Sequence, residues 1–416
     1  NAVLEDSTDG GTNWKTLGQG VTSFELPKNQ ELTGKEYNVQ VKQIVNGVPS
    51  DVAKQNITYD TIAPKATFST ITESGNKFTV KGSVNENSQI KLVSGSDTIQ
   101  TNPYSKKSEF DFTIDFKEST KYSLEFSDLA GNKGEKSDSI NIHQYPKIFE
   151  KQSNELKGKL SDANDIIYVK GTGTNNGDIG FAASSGKVNL NTGKGNDFIF
   201  SKTVQTGDYN STTLNMGEGD DTLLVSAYIR HSGSIGKNSF IDINMGSGND
   251  KIIVGAETSG LDGGIYTLPT GKPININLGD GNDYIQVSNA VSGNVTIDGG
   301  VGFDTFALAS NNNRAHSINQ SLSKFKNINM IDLTGDGNKG NTLTDVTKDY
   351  LTNNNNLYVK GDSNDRVNIG SQNKFGKNTK GFNKGGTTVK DDVTYDIWTD
   401  DVGQNTIYIQ KGIEVF

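Results

Sequence analysis

The chain has 416 residues, a formal net charge of −9 and a sequence pI near 5.0. That charge argues against nucleic acid and anionic membranes as partners and suits hard cations. There is no cysteine, which excludes disulfides and thiolate metal sites. Only 32% of residues are hydrophobic, against 48 glycines, which fits a thin β architecture with many turns. The length suggests roughly two to four domains. No run approaches the ~18 consecutive apolar residues of a membrane span. The lack of cysteine favours an exported bacterial protein, and a start at Asn1 is what a piece of a longer chain would have.

Residues 1–62 read as short strands. Phe24 and Leu26 alternate with polar neighbours, as do Tyr37, Val39 and Val41, then Ile57 and Tyr59. Period two means one buried and one wet face. Residues 63–147 repeat the pattern with Phe78 and Val80, Ile90 and Leu92, the series Phe110, Phe112, Ile114 and Phe116, then Tyr122, Leu124 and Phe126. Pro64 and Pro146 punctuate the boundaries, and the spacing predicts two β-sandwiches. The stretch Asp60-Thr61-Ile62-Ala63-Pro64 resembles the inter-domain linker of bacterial immunoglobulin-like repeats in giant adhesins. Tyr122 to Asn132 resembles their F-strand and following turn, and Asp6 to Trp14 an early hairpin. The resemblance implies two immunoglobulin-like domains, the first without its N-terminal strand.

Residues 148–310 change character. A phrase recurs around five aspartates, Asp197, Asp221, Asp250, Asp283 and Asp304, with a worn copy at Asp165. Each full copy has an alternating strand, a Gly-x-Gly-x-Asp turn and a second apolar strand. The glycine pairs are Gly193 and Gly195, Gly217 and Gly219, Gly246 and Gly248, Gly279 and Gly281, Gly300 and Gly302. Successive aspartates lie 21 to 33 residues apart, a solenoid period. Two residues past each aspartate stands a bulky apolar side chain: Ile167, Ile199, Leu223, Ile252, Ile285 and Phe306. Stacked rungs would line these into one internal column.

The turn carries the chemistry. Glycine permits a sharp fold that aims carbonyls at one point, and aspartate adds a charged oxygen. Rungs about 4.8 Å apart leave room for a Ca²⁺ with oxygens at ~2.3–2.6 Å. Without a cation the stacked carboxylates would repel, so metal binding is expected to be coupled to folding. The segment resembles the repeats-in-toxin nonapeptide family. Gly299 to Ala307 matches every fixed position, whereas the other copies replace the first glycine with Thr192, Met216, Met245 or Leu278. One good turn per coil implies one metal-bearing edge with irregular loops opposite. A metal-free stack, in which these turns only reverse the chain, is the alternative. Asp60 and Asp128, with Asn132, form a weaker candidate Ca²⁺ site at the joint between sandwiches, as the resemblance implies.

Residues 311–416 dilute the repeat, as in Leu357 to Ile369, and are expected to form a β-rich cap. The ending Gly412 to Phe416 resembles a type I secretion signal. An enzyme is not expected. His143, His231 and His316 lack metal-site spacing. The pairs Asp220-Asp221, Asp391-Asp392 and Asp400-Asp401 put adjacent acids on opposite faces of a strand. The expectation is an all-β chain in which two immunoglobulin-like sandwiches precede a calcium-binding, β-roll-like parallel solenoid and its cap. Functionally it reads as part of an adhesin at a bacterial cell surface, binding Ca²⁺ and an unidentified glycan or protein. A calcium-assembled surface lattice is the runner-up and a calcium-dependent polysaccharide lyase the third reading.

Overall fold

The computed structural model describes residues 2–416 apart from 24–34, 75–76, 103–108, 116–119, 135–139, 146–158, 170–179, 184–186, 207–210, 232–239, 256–262, 268–272, 310–318, 336–339, 352–355 and 371–380. Phe24, Leu26, Phe116, Pro146 and His316 lie outside the described residues. The fold is all-β, with one short α-helix, Lys348–Leu351, and a 3-10 turn, Leu322–Lys324, among the described residues. No described helix is long and apolar enough to cross a membrane.

The first unit is a five-stranded antiparallel sheet. Ala2–Ser7 lies between Lys15–Gln19 and Lys35–Val45, and the latter also pairs with Val48–Pro49 and Ala53–Tyr59. In the second unit the sheet of Ala66–Ser74, Lys77–Val84 and Glu109–Asp115 faces Asp97–Asn102, Ser88–Ser94, Lys121–Asp128 and Ile140–Tyr145. Period-two patterning drives this layer packing. Glu109–Asp115 alternates exposed and buried residue by residue, and Phe110, Phe112 and Ile114 join Tyr122, Leu124 and Phe126 in one core.

That core does not stop at the expected boundary near residue 147. Ile140–Tyr145 pairs in parallel with Asn164–Val169, an early strand of the repeat region. Tyr168 is 1% exposed and stacks between Phe78, at 4.7 Å, and Phe200, at 5.2 Å. Ile166, Phe198 and Phe200 belong to the same apolar cluster as the second unit. The outward faces of the first two rungs therefore complete the sandwich core.

From there two parallel sheets run side by side. The strands before each turn, Lys187–Lys194, Ser211–Glu218, Phe240–Ser247, Ile274–Asp280 and Val295–Val301, pair in continuous register. The strands after it, Phe198–Thr206, Thr222–His231, Lys251–Val254, Tyr284–Val287 and Thr305–Ala309, also pair in parallel, with one register shift between Ser201 and Thr203. Ile167, Ile199, Leu223, Ile252, Ile285 and Phe306 are register partners in sequence, and each has no exposed surface. This is the expected column. Leu190, Leu214, Ile243, Ile276 and Ile297 form its counterpart in the facing sheet. At about 1.5–3 kcal/mol per buried aliphatic side chain, these two columns are the main source of cohesion between rungs.

The column passes the expected boundary at residue 310 as well. It continues through Ile331, Val359 and Ile409 on Met330–Gly335, Asn356–Lys360 and Thr406–Gln410. Only then does pairing turn antiparallel, with Val393–Asp400 and Phe382–Lys390. The outermost strand, Phe382–Lys390, carries an irregularity between Lys384 and Thr387, which blunts an edge otherwise open to pairing with another chain.

Candidate metal centre

The repeated turns stack into one corner between the two parallel sheets. The two glycines of every full copy have positive φ, from 90° at Gly300 to 140° at Gly281. A methyl group on Gly217, Gly246, Gly279 or Gly300 would run into the carbonyl of the neighbouring rung's glycine. Both conformation and close approach therefore require glycine here.

The aspartates point inward. Asp197, Asp221, Asp250, Asp283 and Asp304 are each at most 2% exposed. Their Oδ1 atoms form a ladder in which each accepts the backbone N–H of the aspartate one rung earlier. Asp165 donates to Asp197 at 2.7 Å, Asp197 to Asp221 at 2.7 Å and Asp221 to Asp250 at 2.8 Å. Asp250 donates to Asp283 at 2.7 Å and Asp283 to Asp304 at 2.9 Å. The residue before each aspartate runs a second ladder in the opposite direction. Asn164 accepts from the Asn196 N–H, Asn196 from Asp220, Asp220 from Asn249, Asn249 from Asn282 and Asn282 from Phe303. The recurrence of Asn or Asp before the aspartate is the sequence signal for this second ladder.

The other carboxylate oxygen is different. Oδ2 of Asp197, Asp221, Asp250, Asp283 and Asp304 is buried and without a hydrogen-bond partner. Burial pushes Asp197 up to about 8 and Asp221 to about 9. It pushes Asp250 and Asp304 to about 7 and raises Asp283 as well. The neighbouring aspartates add repulsion, while the backbone N–H ladder partly opposes the rise. A buried carboxylate oxygen without a donor is costly unless it is protonated or meets a cation. These oxygens recur once per rung, and rungs of a parallel sheet lie about 4.8 Å apart. The unpartnered atoms are carboxylate oxygens, hard donors that suit a hard cation rather than a softer metal. The first position of the motif is tight. A side chain on Gly299 would meet Asp304 Oδ2 at 2.6 Å, and in the other copies Thr192, Met216, Met245 and Leu278 stand fully buried at this register.

Asp165 joins the column but not the pattern. His143 Nε2 lies 2.8 Å from its Oδ1. The acid pairs lie at turns or a strand end rather than within strands, and Asp391 and Asp392 are both exposed at positive φ. Asp221 faces inward while Asp220 accepts from Asn249. Asp400 accepts from the Gln404 N–H and Asn405 Nδ2, while Asp401 meets Lys348.

A second acidic cluster lies at the joint between the first two units. Carboxylate oxygens of Asp60, Glu86 and Asp128 all lie within 4.8 Å of one another. Asp128 is 2% exposed and accepts from Asn132 N–H at 2.8 Å and Asn132 Nδ2 at 2.7 Å. The same amide reaches the Asp60 carbonyl at 3.0 Å. Asn132 thus braces the cluster through its N–H and Nδ2. Glu86 is the residue the sequence reading missed. It stands in a turn 26 residues from Asp60 and 42 from Asp128, with no local motif. Its Oε1 is buried and unpartnered. Burial, then Asp60 and Asp128, raise its carboxyl.

No protein-family model matches the chain, and no curated protein does. Among solved structures it is similar to the chicken interferon gamma receptor alpha chain. The identity is 14%, over 34% of this chain and 84% of that one, with a TM-score of 0.18, a likeness too slight to bear on fold or function.

Proposed function

We propose that this chain is a calcium-stabilised extracellular region of a bacterial surface adhesin. One observation carries the reading: five buried carboxylates stand one rung apart, each with an oxygen that meets no donor. Bound Ca²⁺ would supply the positive charge that lets these groups ionise inside the fold. Asp197, Asp221, Asp250, Asp283 and Asp304 would hold it through Oδ2 while their Oδ1 atoms keep the rungs in register. Asp60, Glu86 and Asp128 would hold a further ion and stiffen the joint between the first two units. A chain of this design stays loose where calcium is scarce and sets where it is plentiful, as outside a cell. That logic suits export followed by folding at the surface.

The test is calcium titration of the purified chain, followed by heat capacity and intrinsic fluorescence. Millimolar Ca²⁺ should raise the melting transition of the 148–416 region by many degrees, with magnesium much less effective. An equal melt in calcium and in chelator would reject the reading. Retention of cells on a glycan- or protein-coated surface by the chain in its full context, lost on chelation, tests the adhesive part. Ordered two-dimensional arrays on calcium addition would favour a lattice protein instead.

A further inference from the structure

The corner column contains more aspartates and Asx side chains than it has orphaned oxygens, and the difference lies at its ends. At the N-terminal end Asp165, fully buried, has the His143 imidazole 2.8 Å from its Oδ1. His143 comes from Ile140–Tyr145, the strand of the second unit that pairs with Asn164–Val169. Asp165 is absent from the set of carboxylates with an unpartnered buried oxygen.

At the C-terminal end the ladder continues for one more step, but with an amide. Asn329 Oδ1 accepts the Asp304 N–H at 2.8 Å, the same bond that each aspartate makes to the rung before it. Its second atom is an NH₂ group, a donor without charge. Further on, Asp365 repeats the inward geometry and is satisfied within the protein. Its Oδ1 accepts from Asn341 N–H and its Oδ2 from Asp362 N–H, both at 2.7 Å.

We infer that the row of corner carboxylates is closed at both ends by the chain itself, by His143 and by Asn329, so that it takes divalent cations only in the four gaps between Asp197, Asp221, Asp250, Asp283 and Asp304. Five corners leave four gaps between neighbours. This rests on the reading that the corners hold Ca²⁺, and adds where the row begins and stops. A gap between two carboxylates, each with a free oxygen, attracts a divalent ion from both sides. A gap bounded by a histidine-held carboxylate or by an amide attracts it from one side only. The closures also keep an ion away from the apolar cluster that the first two rungs share with the second unit.

The experiment is a count of bound Ca²⁺ by native mass spectrometry on the full chain at saturating calcium. It compares the natural sequence with Asp165→Asn, Asp197→Asn, Asp221→Asn, Asp250→Asn and Asp304→Asn. Asparagine keeps the Oδ1 acceptor, as Asn329 does, so the rungs stay in register. An ion at the Asp60–Glu86–Asp128 joint is common to all variants and cancels. Asp165→Asn should leave the count unchanged. Asp197→Asn and Asp304→Asn, at the ends, should each lose one ion. Asp221→Asn and Asp250→Asn, in the interior, should each lose two. Loss of an ion from Asp165→Asn, or equal losses at end and interior positions, would overturn the closure. Anomalous scattering from calcium in crystals of the unsubstituted chain gives the same answer without variants. Ions beside Asp165 or Asn329 would sink the inference. No ions anywhere along the corner would instead sink the calcium reading beneath it.

Discussion

Replacing Asp250 separates the two jobs of a corner aspartate, because its two oxygens do different things. Oδ1 accepts the Asp221 N–H at 2.8 Å, and Oδ2 is buried without a partner. Asp250→Asn keeps the first and removes the charge. Asp250→Ala removes both and leaves a buried N–H unsatisfied, at a cost of about 1–3 kcal/mol. In chelator at pH 8 the natural carboxylate, with its pKa pushed to about 7 by burial, carries an ionisation penalty on the order of a few kcal/mol. Asp250→Asn should therefore match or exceed the natural chain there, while Asp250→Ala falls about 1–3 kcal/mol below Asp250→Asn. In calcium the natural chain should instead stand above both variants. An ion at a hundred times its dissociation constant contributes about 2.7 kcal/mol, and loss of two gaps removes about 5 kcal/mol by the same relation. Urea unfolding followed by tryptophan fluorescence and far-ultraviolet dichroism, with and without calcium, reads all six cases. Equal destabilisation by Asn and Ala in chelator would refute the Oδ1 ladder. The same ranking in calcium as in chelator would refute the role assigned to Oδ2.

Three further outcomes are expected. The corner carboxyls have folded pKa values above the unfolded value of 3.8, reaching about 7 to 9. Their stabilisation of the metal-free chain is thus fully present below pH 4 and is lost as pH rises through 7 to 9. Urea midpoints in chelator should fall from pH 5 to pH 9, and a flat or rising profile would contradict the burial argument. Glu86→Gln should remove one calcium from the total count and leave chelator stability equal or slightly higher, because Glu86 faces two other acids; an unchanged count would discard the joint site. Tyr168→Ala should cost about 3–5 kcal/mol and split one calorimetric transition into two, since its ring links the second unit to the stack; a single unshifted transition would show that the units do not share a core.

The repeated chemistry was legible in the sequence because it is local. The glycine pairs, the aspartates and the apolar residue two places on recur in fixed spacing, and stacking turns that spacing into columns. The ends of the row were not legible. His143 lies 22 residues from Asp165 on a strand of the preceding unit, and Asn329 stands in a stretch without the glycine pair. Glu86 was hidden for the same reason, since only chain reversal brings it to Asp60 and Asp128. The boundaries at 147 and 310 were read from changes in composition. Strand pairing ignores both, because edge strands with matching apolar faces continue to stack after the corner motif has faded.

Crystals grown in millimolar calcium, with data collected to reveal calcium by its anomalous signal, should show a line of peaks beside Oδ2 of Asp197 through Asp304, spaced by a rung. Glycine corners without peaks at that calcium level would contradict the calcium reading.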